Sequence, residues 1–136
     1  MRKNVPVAEI MTRNPRAVHF GMPLSDVRHA MEAGGFHHIP IVSGTELLGM
    51  VSSTDLLRAA VEAGDPSMND GTLNRAASIA ETMTAGLTTV GPHDTIRHAA
   101  ELLSSGRFHA LPVVEGRTLV GIVTTTDLLR YLIAQY

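Results

Sequence analysis

The spacing of apolar residues changes along the first half of the chain, and each spacing predicts a different element. Residues 7–11 form a short apolar turn, and residues 16–20 form an extended run after Pro15. Beyond Pro23, apolar residues recur at the spacing of one helix face, and Gly34-Gly35 supplies the left-handed backbone that ends many helices. The apolar residues of this predicted helix are Leu24, Val27, Ala30 and Met31.

Two strands and a second helix are predicted next. Residues 38–42 and 47–52 are apolar runs on either side of the turn Ser43-Gly44-Thr45. Because the first run contains Pro40, we expect it at a sheet edge or with the proline at its start. Ser53 or Thr54 then caps a helix that continues through Ala63. The unit therefore reads β-α-β-β-α.

This unit occurs twice. Residues 7–64 align with residues 79–136 at a constant offset of 72 without a gap, and 19 of the 58 aligned positions are identical. We therefore predict two repeats, 7–64 and 79–136, joined by a linker at 65–78. The linker is rich in Gly, Pro, Asn and Asp up to Thr72 and reads as flexible, whereas residues 73–79 have a weak helical pattern.

The second copy is predicted to repeat the same order of elements. Asp94 caps a helix over 95–105, strands 111–114 and 119–124 form a hairpin, and residues 127–134 form the last helix. A unit of 58 residues buries too little surface to be stable alone. We therefore expect an α/β fold in which the two repeats pack sheet to sheet about a pseudo-two-fold axis.

Composition excludes several functional classes. The chain has 136 residues, of which 44% are hydrophobic and 18% are charged, and its net charge is −2. This charge argues against a nucleic-acid partner, although a local arginine cluster stays an alternative. We expect no membrane span, because no apolar run reaches 18 residues. Because the basic start, Arg2-Lys3, has no apolar stretch behind it, we do not expect it to be a secretory signal. With no cysteines present, we expect a cytoplasmic location.

A hydroxyl followed by a carboxylate marks the same place in both copies, where a buried strand passes into a helix N-terminus. Unpaired amides and the helix dipole favour an anion there. A carboxylate accepts both hydrogen bonds of a ribose diol, and hydroxyls donate to phosphate. The residues are Ser52, Thr54 and Asp55 in the first copy, and Thr124, Thr126 and Asp127 in the second. The alternative is that they only cap the helix.

Three repeated blocks resemble the CBS domain, the cystathionine-β-synthase-type repeat that occurs in pairs called Bateman modules. They are a Met-Thr opening, the block Phe-His-x-Ile/Leu-Pro-Ile/Val-Val, and the block Gly-x-Val-Ser/Thr-x-Thr-Asp-Leu-Leu. The resemblance implies a regulatory module that binds AMP, ADP, ATP or S-adenosylmethionine in two clefts between the repeats. It also implies a homodimer, a disc of four repeats, that signals to an unidentified protein partner.

The resemblance also implies roles for particular residues. Asp55 and Asp127 contact ribose, and the backbone of 16–18 and 88–90 contacts the adenine edge. The remaining candidates are the phosphate or base contacts His37, His38, His109, Arg16, Thr88, Phe36 and Phe108. For the phenylalanines the alternative is a place in the core, and for the histidines it is an ordinary surface position. Because Ala110 stands opposite His38, and Thr88 opposite Arg16, we expect the two sites to differ in affinity.

No catalytic or metal-binding pattern is present in the sequence. We find no nucleophile elbow, P-loop or Gly-x-Gly-x-x-Gly fingerprint, so we expect a protein that is not an enzyme. His37 and His38 are adjacent, and His19, His29, His93 and His98 fall at unmatched positions in the two copies, so we expect no metal site. We expect no required cofactor, and an adenine nucleotide as the regulatory ligand. The alternative function is a structural or dimerisation module that has lost its ligand.

Overall fold

Both copies fold as α/β units in the computed structural model, which describes residues 4–136 and so leaves Arg2 and Lys3 outside the described residues. The α/β fold class is confirmed. In the first copy the elements are β2 (Val18–His19), α1 (Leu24–Gly34), β3 (His38–Ser43), β4 (Glu46–Ser52) and α2 (Ser53–Glu62). In the second copy they are α5 (Ile96–Leu103), β5 (Ala110–Glu115), β6 (Thr118–Thr124) and α6 (Thr125–Ala134).

Short elements open each copy and form what we call its lead-in segment. In the first copy these are a 3₁₀ turn at Val7–Glu9 and the strand β1 (Thr12–Arg13). In the second copy helix α4 (Ile79–Thr82) has this place, and helix α3 (Asp70–Ala76) lies in the segment between the repeats. The first strand of the second copy is reduced to one residue, Val90, which bridges in parallel to Val113.

The chain divides into two compact units whose bounds differ from those of the repeats. Residues Arg16–Leu87 form one unit, here called the first-repeat unit. Residues 4–15 and Thr88–Tyr136 form the other, here called the second-repeat unit. Each unit therefore contains the lead-in segment of the opposite repeat.

The sheet of the first-repeat unit is built around β3. Strand β3 pairs in parallel with β2 and antiparallel with β4. Thr84, from the lead-in to the second repeat, exchanges two backbone hydrogen bonds with Met50 of β4, at 2.9 and 3.0 Å. Helices α1 and α2 contact this sheet. The fully buried side chains of this unit include Leu24, Val27, Ile39, Ile41, Val51, Leu73 and Ile79.

The second-repeat unit has the matching arrangement. Strand β6 pairs antiparallel with β5, and also with β1 from the lead-in to the first repeat. Thr12 lies opposite Ile122, just as Thr84 lies opposite Met50. The fully buried side chains here include Val7, Leu111, Val113 and Val123. Val7, which opens the first repeat, thus contributes to the core of the second-repeat unit.

Pro40 does not lie at a sheet edge, so that part of the prediction is wrong. It is the third residue of β3, and β3 has neighbouring strands on both sides. Met50, the residue opposite Pro40, exchanges its backbone hydrogen bonds with Thr84 instead. On the other side, β2 pairs only from Ile41 onward. The missing N–H of proline therefore removes no hydrogen bond from the sheet.

The segment between the repeats is helical over part of its length and packs onto the first-repeat unit. Asn69 caps α3, because its side chain accepts a hydrogen bond from the amide of Thr72 at 2.9 Å. Leu73 is completely buried. Asn74 accepts a hydrogen bond from the amide of Ser25 at 2.9 Å. Asn74 thereby satisfies a first-turn amide of α1, whose own N-cap residue, Pro23, makes no side-chain cap bond.

Two glycines permit the lead-in segments to approach the sheets. A Cβ added to Gly49 would lie 2.7 Å from the Sδ of Met83 and 2.8 Å from the carbonyl oxygen of Thr84. A Cβ on Gly121 would lie 2.6 Å from the Sδ of Met11 and 3.0 Å from the carbonyl oxygen of Thr12. Neither glycine has a positive φ angle. The close approach of the lead-in segment, which leaves no room for a Cβ, therefore explains why both positions are glycine.

We predict that Gly49→Ala and Gly121→Ala each destabilise the protein by about 1–3 kcal/mol, because the backbone of the lead-in must shift. Urea denaturation measures the free energy of unfolding. Gly91→Ala is the matched control, since a Cβ there would meet no atom closer than 3.7 Å. Equal stability of all three variants would contradict the close approach.

Candidate functional site

Each candidate aspartate takes part in a capping box at the start of a helix. The amide of Asp55 donates to the Oγ of Ser52 at 3.1 Å, and the amide of Ser52 donates to the Oδ2 of Asp55 at 2.8 Å. Thr124 and Asp127 form the same two bonds at 3.1 and 2.8 Å. The residue that caps α2 is therefore Ser52, one or two positions before those expected from the sequence, and Thr124 caps α6.

The helix N-termini offer fewer unpaired amides than expected. The amide of Ser53 donates to the carbonyl oxygen of His37 at 2.9 Å, and the amide of Thr125 donates to that of His109 at 3.0 Å. The third amide of each helix is used by the capping box. Among the first three amides of α2 and of α6, only those of Thr54 and Thr126 lack a partner within residues 4–136. Thr54 and Thr126 have exposed side chains with no hydrogen bond there.

The two aspartates differ at their second carboxylate oxygen. The Oδ1 of Asp55 accepts a hydrogen bond from Arg58 at 3.3 Å, and the Asp55 side chain is only 14% exposed. Within residues 4–136, the Oδ1 of Asp127 has no partner, and Arg130, which corresponds to Arg58, makes no ion pair. The carboxylate of Asp127 is thus open to a further hydrogen-bond donor on one oxygen.

Asp55 lies on the wall of a cavity of about 220 Å³. Three carboxylates and one guanidinium share this wall, which we call the Asp55 cavity. The charged residues are Asp55, Arg58, Glu62 and Glu81, and the others are Ala59, Ala63, Ala76, Ala77 and Thr82. Hydrogen bonds from the backbone and then the side chain of Ser78 lower the pKa of Glu81, which keeps its carboxylate charged. The cavity is therefore predominantly acidic.

Phe36 and His37 lie together at a second cavity, of about 290 Å³, in the first-repeat unit. Its floor includes the buried side chains of Met31 and Leu56. The remaining residues around it are Arg28, Glu32, Gly35, Ser53 and Met68. The cavity thus brings together two of the predicted contacts, and it adds Ser53 and Met68, which the sequence did not suggest.

The corresponding phenylalanine of the second copy has a different environment. Phe36 is 42% exposed, and its ring lies against Gly34, whereas Phe108 is half-buried and packs on the core of its unit. The helix ends explain the difference, because Gly35 has the left-handed backbone in the first copy and Gly106 has it in the second. The packing of Phe108 is that of the core alternative, and its predicted contact with a ligand stays a prediction.

The remaining candidates lie apart from these two cavities. Arg16, Thr88 and His109 are exposed, and His38 is half-buried at the first position of β3. None of these four residues lines the Asp55 cavity or the second cavity, which contains Phe36 and His37. Their predicted phosphate or base contacts stay predictions.

Neither a metal cluster nor a membrane-spanning helix is found in the described part of the chain. No three His, Asp or Glu side chains of residues 4–136 are grouped as metal ligands. Over the same residues, no helix has the length and apolar character needed to cross a bilayer.

Comparison with known proteins identifies the family. A family model for the CBS domain matches residues 7–62 and 76–134. The chain belongs to the CBS domain family. The CBS domain-containing protein YhcV of Bacillus subtilis is 39% identical over 123 residues, which cover 90% of this chain and 81% of YhcV.

Solved structures of CBS proteins share the fold. AcuB from Vibrio cholerae superposes with a TM-score of 0.83 at 31% identity, covering 96% of this chain and 92% of AcuB. The CBS domain pair of protein MJ0100, in complex with 5′-methylthioadenosine and S-adenosyl-L-methionine, has a TM-score of 0.78 at 25% identity. That match covers 94% of this chain and 99% of the MJ0100 pair.

Several relatives of this CBS chain are longer than it is. The chain spans 48% of protein MJ1225 of Methanocaldococcus jannaschii, to which it is 29% identical. It spans 23% of the homoserine O-acetyltransferases of Methanohalobium evestigatum and Methanocorpusculum labreanum. The activities of those whole proteins are therefore not transferred to this CBS chain.

The charged neighbours of Asp55 were not identified from the sequence. Arg58 belongs to the repeated Asp-Leu-Leu-Arg block, so its spacing of three residues from Asp55 was a visible signal for a helical ion pair. Glu81 gave no such signal, because it reaches the Asp55 cavity through α4, which belongs to the lead-in of the other CBS repeat.

We predict that Ser52→Ala and Thr124→Ala each lower the free energy of unfolding by about 1 kcal/mol, because each removes a helix cap. Thr54→Ala and Thr126→Ala are the matched controls, since their exposed hydroxyls make no hydrogen bond within residues 4–136. Thermal or urea denaturation of the four variants checks this. A loss of equal size in the controls would refute the cap assignment.

Proposed function

We propose that this CBS chain is a regulatory module that binds adenosine-containing compounds, with Asp55 and Asp127 as the ribose contacts of two unequal sites. The observation that carries this is the second oxygen of each carboxylate. One oxygen is used by the capping box, and the other is unpaired at Asp127 or held by a single exposed arginine at Asp55. A fixed carboxylate with an accessible oxygen suits a ribose hydroxyl donor.

The capping role and the ribose role are compatible at these positions. Each carboxylate oxygen has two lone pairs, so the bond from the amide of Ser52 or Thr124 leaves further acceptor capacity. The cap also holds the carboxylate in one orientation, which reduces the entropy lost when a ligand binds. The MJ0100 pair, whose structure contains 5′-methylthioadenosine and S-adenosylmethionine, supports this ligand class at 25% identity.

Signalling requires that the ligand bind one arrangement of the module more tightly than another. Within this proposal the chain forms a homodimer, a disc of four CBS repeats, and a protein partner in the cytoplasm responds to the change. An apolar stripe on α6 supports association with a second copy. Its residues are Leu129, Leu132 and Ile133, which are 54%, 41% and 72% exposed at helical spacing.

A structural dimerisation module without a ligand is the second candidate, and the same stripe favours it. The two candidates differ in one property, since only the sensing module needs accessible oxygens at Asp55 and Asp127. A dimer that shows no response to any adenosyl compound would support the structural candidate. We propose no catalytic activity and no required cofactor for either candidate.

Isothermal titration calorimetry with AMP, ATP, adenosine and S-adenosylmethionine tests the proposal. We expect binding of at least one compound, and we expect Asp55→Ala and Asp127→Ala each to abolish one of two sites. Asp26→Ala, on the first turn of α1, is the control for removing an aspartate without a capping box. Melting curves confirm that each variant is folded at the assay temperature.

Absence of binding heat with all four compounds, in a folded protein, would overturn the proposed function. Binding that persists unchanged in both aspartate variants would overturn the assignment of the ribose contacts.

A further inference from the structure

The charges around Asp55 and Asp127 differ in a way that bears on which ligands each site accepts. The Asp55 cavity has three carboxylates and one guanidinium, so its wall has a formal charge of −2. A Debye length is about 8 Å at physiological ionic strength, so these charges act on any group attached to a ribose bound at Asp55.

Arg58 does not offset this charge for a ligand. Its guanidinium is already bonded to the Oδ1 of Asp55 at 3.3 Å. A ribose that displaces Arg58 releases it toward Glu62, which lies one turn further along α2 at the spacing that favours an ion pair. Glu62 has no partner within the described residues, and it lines the same cavity.

Backbone amides provide little compensation for a phosphate. The amide of Ser53 is held by the carbonyl oxygen of His37, and the amide of Asp55 is held by Ser52. Of the first three amides of α2, that of Thr54 is the one without a partner within residues 4–136. A phosphate beside Asp55 therefore finds one free amide and an acidic wall.

The second copy lacks one of these carboxylates, because Glu81 has a counterpart in Glu9 but Glu62 has none. Ala134 occupies the position that corresponds to Glu62, and both residues are the last of their helices. Arg130 corresponds to Arg58 but is not bonded to Asp127, and it has no ion pair within residues 4–136. The guanidinium of Arg130 is therefore available to an anionic ligand.

We propose that the two sites divide adenosyl compounds by charge. The Asp55 site selects compounds without a 5′-phosphate, such as nucleosides and thio- or sulfonium nucleosides, whereas the Asp127 site accepts phosphorylated nucleotides. This selectivity rests on the proposed function, because it requires ribose binding at both aspartates. Glu62 is the residue that sets the preference of the first site.

Site-resolved NMR titration with adenosine and AMP tests the selectivity, because these probes differ only in the phosphate. The amide signals of Thr54 and Asp55 report one site, and those of Thr126 and Asp127 report the other. In the wild-type protein we expect adenosine to bind the Asp55 site several-fold more tightly than AMP, and AMP to bind the Asp127 site at least as tightly as adenosine.

A reciprocal exchange at the helix ends supplies the matched variants. Glu62→Ala should tighten AMP at the Asp55 site by about two- to fourfold at low salt, which is the size expected for one screened charge near a phosphate. Ala134→Glu should weaken AMP at the Asp127 site by a similar factor. Adenosine has no phosphate, so the affinity of AMP relative to adenosine should rise in Glu62→Ala and fall in Ala134→Glu, and both effects should shrink in 0.5 M salt.

The outcomes separate the two proposals. If neither adenosine nor AMP shifts the signals of either site, the selectivity and the proposed function are both overturned. If both compounds bind but AMP equals adenosine at the Asp55 site, or if neither exchange variant changes AMP binding, only the selectivity is overturned. Because both positions are exposed helix ends, loss of folding is not expected, and the NMR spectra check it directly.

Discussion

The close approach of each lead-in segment to a glycine in the opposite repeat is the interaction on which the fold depends. Thr84 bonds to Met50 beside Gly49, and Thr12 pairs with Ile122 beside Gly121. Without these segments, β4 and β6 would each lose a neighbour and expose unpaired backbone groups. The compact units do not coincide with the repeats, because each unit includes the lead-in segment of the other repeat. This exchange adds the packing that a repeat of 58 residues would lack alone.

The same interaction positions the candidate site. Strand β4 ends at Ser52, which is also the cap of α2, so no loop separates the paired strand from the helix that bears Asp55. The lead-in then continues into the wall beside that aspartate, because Glu81 and Thr82 precede the Met83-Thr84 contact. The same lead-in segment therefore contributes both to the stability of the fold and to the electrostatic environment of Asp55.

The sequence predicted the repeated elements and the position of both aspartates, because hydrophobic spacing and the constant offset report local structure. It missed features that depend on contacts distant in sequence. The cap of α5 is Thr95, whereas the carboxylate of Asp94 accepts a hydrogen bond from the amide of Gly91. Leu73 is buried only because α3 packs against α1 and α2. The different packing of Phe36 and Phe108 follows from a one-residue difference in the left-handed glycine, which identity counts do not show.

A crystal structure of the protein grown with adenosine tests the central claim most directly. The account predicts ribose hydroxyls within about 2.5–3.0 Å of the Asp55 carboxylate, with the capping bonds to Ser52 retained and Arg58 turned toward Glu62. Adenosine bound elsewhere, or a ribose that contacts no carboxylate while Arg58 stays on Asp55, would contradict it.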